Sequence, residues 1–484
     1  MESLKEFETA LKNLYYKCMM HECVNLEKLP GAGSNRTYYR LTGDNGRTAI
    51  GTVCKNLQEN QTFANLSEFL GYDNELNVPQ VYGTSGSCYL QSDLGDKSLF
   101  DYISDRDSAG NLSEKAIDLI RKTIHMLPDF QWANHRNKCK YYIEACFDIQ
   151  FVMWDLNYFK YCFLKPSGID FDEKRLEYDF RQLADRIIKI QPQVLVLRDF
   201  QSRNIMIVDD KKPYVIDFQG ALMGPCQYDL VSFLWQVRAG FSPEFREEMI
   251  EEYLLRASRY LNIKREQFMA GLNLMVVFRT MQVLGAYGFR GLVEGKPHFL
   301  KSLYPAIKQL EQIVAKGLLD DFPYLKQIFC DVSRSDKFRI MQPYTDKLLV
   351  RINSFGFRKS GIPTDFSGNG GGFVFDCRAL PNPGKYNEYS QLTGMDDDVV
   401  KFLEKHDTVK EFLESVFNLA NMSVARYMER GFKDLMINFG CTGGQHRSVY
   451  CAEKLAQYIC ERYDVEIILT HVEQGVVKKN QAGL

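Results

Sequence analysis

Three polar residues near the ends of apolar segments have the types and the spacing that phosphoryl transfer needs. Asp199 and Asn204 follow the apolar segment 194–197, and Asp217 follows the apolar pair 215–216. A first aspartate can accept the proton of an acceptor hydroxyl, while an asparagine and a second aspartate can hold the Mg²⁺ that neutralises phosphate charge. Asp and Asn are also ordinary loop residues, but the flanking apolar segments favour a site. We predict Asp199 as the catalytic base and Asn204 and Asp217 as metal ligands.

A glycine-bearing segment near the N-terminus is predicted to contact the phosphates of ATP. Gly31 and Gly33 let backbone amides approach a phosphate closely, and Ser34 and Asn35 can donate hydrogen bonds. Arg36 stands where the third glycine of a G-x-G-x-x-G loop is expected. We therefore include all five residues in the predicted nucleotide-binding set.

A positive charge near the phosphates is also expected, and the sequence offers several residues for it. Lys55 ends a strand-like segment at 49–54 and is the first choice, although a solvated lysine is an equally good interpretation. Arg36 or Arg40 are the alternatives. The acidic partner of this charge is left open between two glutamates of the following helix, Glu59 and Glu68.

A second anion-binding segment lies at 441–448, Cys-Thr-Gly-Gly-Gln-His-Arg-Ser, between an apolar strand and a long amphipathic helix. Free amides, the positive end of the helix and an arginine converge on one place in such a segment. The predicted phosphate-binding residues are Thr442, Gly443, Gly444, His446 and Arg447. The spacing C-x-x-x-x-x-R-S is also that of cysteine phosphatases, in which the loop lowers the pKa of the thiol, so phosphatase activity is kept as an alternative.

The elements that position these residues divide the chain into two parts. A chain of 484 residues is too long for one core. The N-terminal part has the strand-like segments described above, followed by mostly helical sequence, whereas the C-terminal part alternates strands and helices. We predict a first domain at 1–332, a linker at 333–347 and a second domain at 348–484.

Composition excludes several classes of protein. The net charge is −2, so nothing global indicates nucleic acid or an anionic membrane as partner. The 13 cysteines are scattered, with no C-x-x-C pair and no zinc spacing. No signal peptide and no run of about 18 apolar residues is present. Free thiols without an export signal predict a cytoplasmic protein.

The first domain resembles the aminoglycoside and choline kinase superfamily, and within it the anomeric kinases of N-acetylmuramate and N-acetylglucosamine. The likeness covers most of residues 1–320. It rests on segments 93–96, 197–204, 217–232, 283–285 and 295–297. It implies a two-lobed α+β fold of the protein-kinase type, and Asp199 as the base that activates an anomeric hydroxyl. Gln219-Gly220-Ala221 departs from the Gln-Asp-Ala that is commoner in this subgroup.

The second domain resembles the C-terminal domain of the RNase adapter RapZ. The matching segments are 354–357, 361–363, 374–383, 393–394 and 440–450. The resemblance implies a smaller α/β domain that binds glucosamine-6-phosphate and, in some members, a regulatory RNA. RNA is not favoured here, because residues 348–484 hold 16 Lys and Arg against 17 Asp and Glu, a net charge of −1.

Together these observations predict an ATP- and Mg²⁺-dependent kinase of a cell-wall amino sugar, fused to a domain that binds an amino-sugar phosphate. Two alternatives remain open at this point. One is a non-catalytic adapter that binds nucleotide through the first domain and RNA or protein through the second. The other is a kinase whose acceptor is an aminoglycoside-like or choline-like alcohol.

Overall fold

In the computed structural model the chain forms two compact units. The structure describes residues 4–30, 36–136, 146–260, 262, 264–335, 338, 347–365 and 371–481. The first unit comprises Met1–Lys160, Phe171–Val283 and Gln309–Phe329, and the second comprises Tyr161–Asp170, Leu284–Lys308 and Cys330–Leu484. Most of the predicted linker lies outside the described residues, so the predicted domain bounds stay a prediction.

The first unit begins with a helix and a five-stranded antiparallel sheet. The elements are α1 (Leu4–Met19), β1 (Cys23–Lys28), β2 (Thr37–Gly43), β3 (Thr48–Val53), α2 (Leu57–Ser67), β4 (Val81–Ser85) and β5 (Cys88–Ser92), and the strand order is β1-β2-β3-β5-β4. Helix α1 buries Leu11, Leu14 and Tyr15 against this sheet, as its helical spacing predicts. Helix α2 starts at Asn56, whose side chain accepts a hydrogen bond from the Glu59 backbone N–H (3.2 Å).

Two small antiparallel ribbons follow, and they carry the predicted catalytic loop. Strand β6 (Gln193–Val196) pairs with β9 (Leu222–Pro225), and β7 (Ile205–Val208) pairs with β8 (Lys212–Val215). The helices between β5 and residue 334 are α3 (Leu99–Ser104), α4 (Glu114–Gln131), α5 (Ala133–Arg136), α6 (Ile149–Phe159), α7 (Lys165–Ser167), α8 (Glu173–Ile187), α9 (Gln227–Leu234), α10 (Pro243–Ala257), α11 (Arg265–Tyr287), α12 (Pro297–Ala315) and α13 (Pro323–Arg334).

One helical stretch, Arg265–Val293, meets the length and hydropathy of a membrane-crossing segment among the residues described. Of its most apolar window, 67% is buried inside the protein. Core helices of globular domains have this composition too, because a helix that is apolar on all sides is buried on all sides.

The C-terminal residues form a mixed sheet covered by helices. Its elements are β10 (Leu349–Gly356), β11 (Phe373–Asp376), α14 (Asp397–Glu404), α15 (Asp407–Glu429), β12 (Asp434–Cys441), α16 (Arg447–Cys460), β13 (Glu466–His471) and β14 (Val476–Gln481). The order is β11-β12-β10-β13-β14, parallel except for β14. Central strands β10 and β12 are buried along nearly their whole length, which explains their apolar sequences. The predicted fold class, an α+β fold of the protein-kinase type followed by an α/β domain, is confirmed.

Candidate functional site

A cleft of about 440 Å³ lies between the five-stranded sheet and the β7–β8 ribbon. Its apolar lining includes Leu29, which follows β1, Ile50 of β3, Met206 of β7 and Ile216, which follows β8. Its polar and charged lining includes Arg36, Asn204 and Asp217. A cleft that offers both apolar surface and charged groups can accommodate a flat base with an attached phosphate chain.

The loop after β6 holds Asp199 through its backbone. Arg198 has φ of 73°, a left-handed conformation that is costly for a residue with a side chain, and the Asp199 N–H donates to the Leu197 carbonyl (2.9 Å). The carboxylate of buried Asp229 accepts hydrogen bonds from the backbone N–H groups of Leu197 (2.8 Å) and Arg198 (3.0 Å). This carboxylate, at the start of α9, therefore fixes the strained turn that presents Asp199.

Burial raises the pKa of Asp229 to about 7, against the two backbone hydrogen bonds that lower it. A folded-state pKa above the unfolded value contributes stability that is fully present below about pH 4 and lost as pH rises through about 7. We expect the free energy of unfolding of the wild type, relative to Asp229→Asn, to fall by up to about 1.4 kcal/mol per pH unit in that window.

Urea denaturation followed by tryptophan fluorescence at pH 4.5 to 8 measures this difference. All three tryptophans, Trp132, Trp154 and Trp235, belong to the first unit, so the signal reports that unit. A difference between wild type and variant that stays constant with pH would show that Asp229 has no raised pKa.

Asn204 and Asp217 come together at the polar end of the cleft. The Asn204 side-chain N–H donates to the Asp199 backbone carbonyl (2.9 Å), and the Asn204 backbone carbonyl accepts from the Ile216 N–H (2.9 Å). These bonds join the loop of Asp199 to the residue before Asp217. Asp217 itself has φ of 63°, a second strained position.

The donor set fits a hard divalent cation. The Asn204 amide nitrogen is used by the Asp199 carbonyl, so its amide oxygen is left as an acceptor beside the Asp217 carboxylate. Gln219 donates to Asp217 Oδ1 (2.8 Å), and its own Oε1 is buried without a hydrogen-bond partner in the described structure. Within the described ranges no group of three or more His, Cys, Asp and Glu can hold a metal. The oxygens of Asn204 and Asp217, completed by phosphate oxygens and water, suit Mg²⁺.

Arg36 is a buried positive charge of the cleft. Its side chain is only 5% exposed, and it forms ion pairs with Glu59 of helix α2 and with Asp217 (3.3 Å). Arg40 also lines the cleft, where it pairs with Asp93 (2.7 Å) and Asp96 (2.7 Å) of the segment after β5. Of the two glutamates left open by the sequence, Glu59 is the one that pairs with Arg36.

Lys55, the first choice from the sequence, is exposed just after β3 and does not line the cleft. Its role in nucleotide binding stays a prediction, as do the roles of the other predicted residues. Gly31, Gly33, Ser34 and Asn35 lie outside the described residues.

Sequence reasoning missed a polar group beside Asp199. Asp155, on helix α6, accepts a hydrogen bond from Gln282 Nε2 of α11 (2.6 Å). Gln282 Oε1 accepts from the Tyr228 hydroxyl (2.9 Å) and from buried Arg279. A single carboxylate within the unusually aromatic stretch 151–163 was the available signal, because a charge on an apolar helix needs a partner or a ligand.

Three carbonyl groups of the loop 442–446 in the second unit are hydrogen-bonded to neighbouring segments of the protein. The carbonyl of Thr442 accepts from the Arg358 N–H (3.3 Å), that of Gly444 from Gln474 Nε2 (3.0 Å), and that of Gln445 from the Gly394 N–H (2.9 Å). No described group accepts from the backbone N–H groups of Gly443, Gln445 and His446. The loop therefore offers unpaired amides at the N-terminus of α16, as an anion site does.

Gly444 and Arg447 fix the shape of this loop. Gly444 has φ of 68°, and a Cβ there would lie 2.3 Å from Glu473 Cγ and 2.7 Å from the Gly356 nitrogen. Buried Arg447 donates from Nη1 to the carbonyls of Arg378 (2.9 Å) and Leu380 (3.1 Å), while its Nε has no partner. The other predicted residues are placed differently: Thr442 is exposed, and His446 Nε2 contacts the Tyr389 carbonyl (2.9 Å).

The thiol of Cys441 lies at the base of the loop. Burial alone would raise its pKa, but hydrogen bonds from Ser448 and Gly444 and the Arg447 charge outweigh burial and hold the pKa below its usual value. Phosphatase chemistry also needs an acid that protonates the leaving oxygen. Arg378 lowers the pKa of the neighbouring Asp376, which is the wrong direction for such an acid. The arrangement favours anion binding over hydrolysis.

Two family models match different parts of the chain. The model of the phosphotransferase enzyme family matches residues 25–262, and that of the RapZ C-terminal domain matches residues 348–474. A nucleotide-binding protein of Fervidobacterium nodosum is 44% identical over 128 residues, which are 26% of this chain and 43% of that protein. One of Thermosipho africanus is 36% identical over 179 residues, 36% of this chain and 60% of that protein.

The chain thus spans about half the length of these curated relatives. Among solved structures, a choline kinase from Streptococcus pneumoniae aligns with 63% of this chain and 99% of its own at 13% identity and a TM-score of 0.41. By the two family models, the chain carries a domain of the phosphotransferase enzyme family, joined to a RapZ C-terminal domain.

Proposed function

We propose that the first domain transfers the γ-phosphate of ATP to a cell-wall amino sugar, at its anomeric hydroxyl, and that the second domain binds an amino-sugar phosphate. The observation that carries the first half is that Asn204 and Asp217 line a cleft that also contains buried Arg36, while the Asn204 side chain donates to the Asp199 backbone carbonyl. Family membership supports phosphotransfer. The choice of an amino sugar rests on the sequence resemblance and on the second domain.

Each residue has one part in the proposed reaction. Asp199, held by the turn that Asp229 fixes, accepts the proton of the acceptor hydroxyl and orients its oxygen toward the phosphate. Asn204 and Asp217 would hold Mg²⁺, which would supply charge neutralisation at the phosphates. Arg36 adds a fixed positive charge, and the apolar part of the cleft accommodates the adenine. Catalysis is then mainly positioning plus electrostatic stabilisation.

Phosphate transfer from ATP to a panel of acceptors tests this proposal. The panel contains N-acetylmuramate, N-acetylglucosamine, glucosamine, an aminoglycoside and choline, each with Mg²⁺ and with EDTA. We expect an acid-labile sugar 1-phosphate that forms only with Mg²⁺. Transfer to choline or to the aminoglycoside alone would replace the amino sugar as acceptor, and ATP binding without any transfer would favour a nucleotide-binding adapter.

The second half of the proposal rests on Arg447 and on the loop 442–446, in which the carbonyls are bonded to neighbouring segments and the amides are left unpaired among the described residues. Replacing Arg447 with methionine keeps the volume of the side chain and removes its charge. We expect the affinity of the full chain for glucosamine-6-phosphate, measured by calorimetry, to fall by about 30-fold, as for loss of a buried charged partner. Arg462→Met, at a half-exposed arginine after α16, is the matched control. Equal binding by both variants would place the sugar phosphate elsewhere.

A further inference from the structure

A polar niche beside Asp199 has unused hydrogen-bonding capacity. Asp155 Oδ2 accepts a hydrogen bond from Gln282 Nε2, and no described group donates to Asp155 Oδ1. The Asp199 carboxylate likewise has no donor among the described residues. The Arg198 guanidinium has no hydrogen-bond acceptor among them, and it lies over the Phe151 ring, 4.9 Å from the ring centre. Polar groups that line a site and lack protein partners are the groups available to a ligand.

The orientation of Asp155 is set by buried neighbours. Gln282 uses its Oε1 to accept from the Tyr228 hydroxyl and from Arg279, so its Nε2 must face Asp155. Arg279 is 8% exposed and Tyr228 is 1% exposed. A carboxylate held by such a chain keeps its free oxygen in one place, which is a property of binding sites.

Packing places Asp155 beside the loop of Asp199, because the Arg198 guanidinium lies over the ring of Phe151, one helical turn before Asp155 on α6. Burial raises the pKa of Asp155; Arg198 and Arg279 oppose this, while the nearby Asp199 adds to it. Arg279 in turn interacts with both carboxylates. An acceptor bound with one hydroxyl on Asp199 would therefore bring the adjoining part of its molecule to Asp155.

We propose that Asp155 selects the acceptor: its free oxygen takes a hydrogen bond from a donor on the carbon next to the hydroxyl that Asp199 activates. For the amino sugar of the proposed function, on which this inference rests, that donor is the amide N–H beside the anomeric carbon. Gln282 and Arg279 are positioning residues, because they act through Asp155. The alternative is that Asp155 only stabilises the packing of α6 against α11.

A cycle of two acceptors and two proteins separates these roles. N-acetylglucosamine carries the neighbouring N–H, and 2-deoxyglucose carries no donor at that carbon. We expect Asp155→Ala to lower kcat/KM about 10- to 100-fold with N-acetylglucosamine, the loss of a hydrogen bond to a charged group, and less than about threefold with 2-deoxyglucose. Asp155→Asn, which keeps the size of the side chain, is measured alongside, and Asp118→Asn on an exposed face of α4 is the control.

The outcomes distinguish this inference from the proposed function. Equal losses with both sugars, or an increased KM for ATP in the same proportion, would assign Asp155 a structural role and overturn the inference alone. Failure of the wild type to phosphorylate either sugar would overturn the proposed function together with the inference. As a further readout, Gln282→Leu is expected to raise the KM for N-acetylglucosamine more than the KM for 2-deoxyglucose.

Discussion

Replacing Asp199 with asparagine is expected to lower kcat/KM for phosphate transfer by about 10²- to 10⁴-fold, the range for loss of a general base. Asparagine has the size of aspartate but cannot accept the hydroxyl proton. The backbone of the loop is held by Asp229 and by Asn204, through bonds to main-chain atoms that the substitution leaves in place. ATP affinity should therefore change by less than about threefold.

Steady-state rates of ADP release with an amino-sugar acceptor, together with calorimetric binding of ATP and Mg²⁺, check this expectation. Asp209→Asn, at an exposed aspartate in the β7–β8 turn, makes the same chemical change outside the site and serves as the control. If Asp199→Asn kept wild-type rates, the base would have to be another group. If it lost ATP binding as well, Asp199 would belong to the nucleotide site instead.

The residues that short sequence patterns could place are those carried by one loop. Asp199 and Asn204 are five positions apart, Asn204 ends a single turn of 3-10 helix at Ser202–Asn204, and Asp217 follows the next ribbon. Their meeting follows from hairpin geometry, because adjacent antiparallel strands bring their ends together. The strand–loop–helix pattern of 435–460 is local in the same way, and the structure has it as expected.

Contacts between distant segments were not predictable from the sequence. Arg36 is 23 positions from Glu59 and 181 positions from Asp217. The sequence left three candidate cations and two candidate glutamates. Which of them meet depends on the register of β2 and β3 and on where α2 begins, since a shift of one residue in a strand moves a side chain to the opposite face. Lys55 falls just beyond β3 and is exposed.

The niche of Asp155 depends on tertiary packing in the same sense. Asp155 and Gln282 lie 127 positions apart on two helices, and neither belongs to a motif. Residues of this kind mark where an acceptor binds rather than where the shared chemistry occurs, and a family's shared pattern does not contain them. The hydrogen-bonded carbonyls of loop 442–446 were also not predictable from the sequence, because their partners come from three separate segments.

Replacing Arg36 with methionine is expected to lower kcat/KM for ATP by about 10²- to 10³-fold, whereas Lys55→Met should change it by less than about threefold. The Arg36 side chain is buried and pairs with Glu59 and Asp217 at once. Without it, the carboxylates of Glu59 and Asp217 lose their counter-charge, and the phosphates lose a fixed cation. Exposed Lys55 has neither contact.

A third variant, Arg36→Lys, separates charge from geometry. Lysine restores the positive charge, but a single ammonium group cannot offer the planar fork that spans two carboxylates, so partial recovery of about tenfold is expected. Initial rates over a range of ATP concentrations, with Mg²⁺ in excess, give kcat and KM for each variant.

A larger loss in Lys55→Met than in Arg36→Met would restore Lys55 as the ATP-binding cation. Equal, small losses in both variants would mean that Mg²⁺ and backbone amides alone neutralise the charge of the phosphates. The expected order, Arg36→Met far below Arg36→Lys and Lys55→Met near wild type, would assign to an arginine beside the glycine-bearing segment the charge that a strand lysine was predicted to supply.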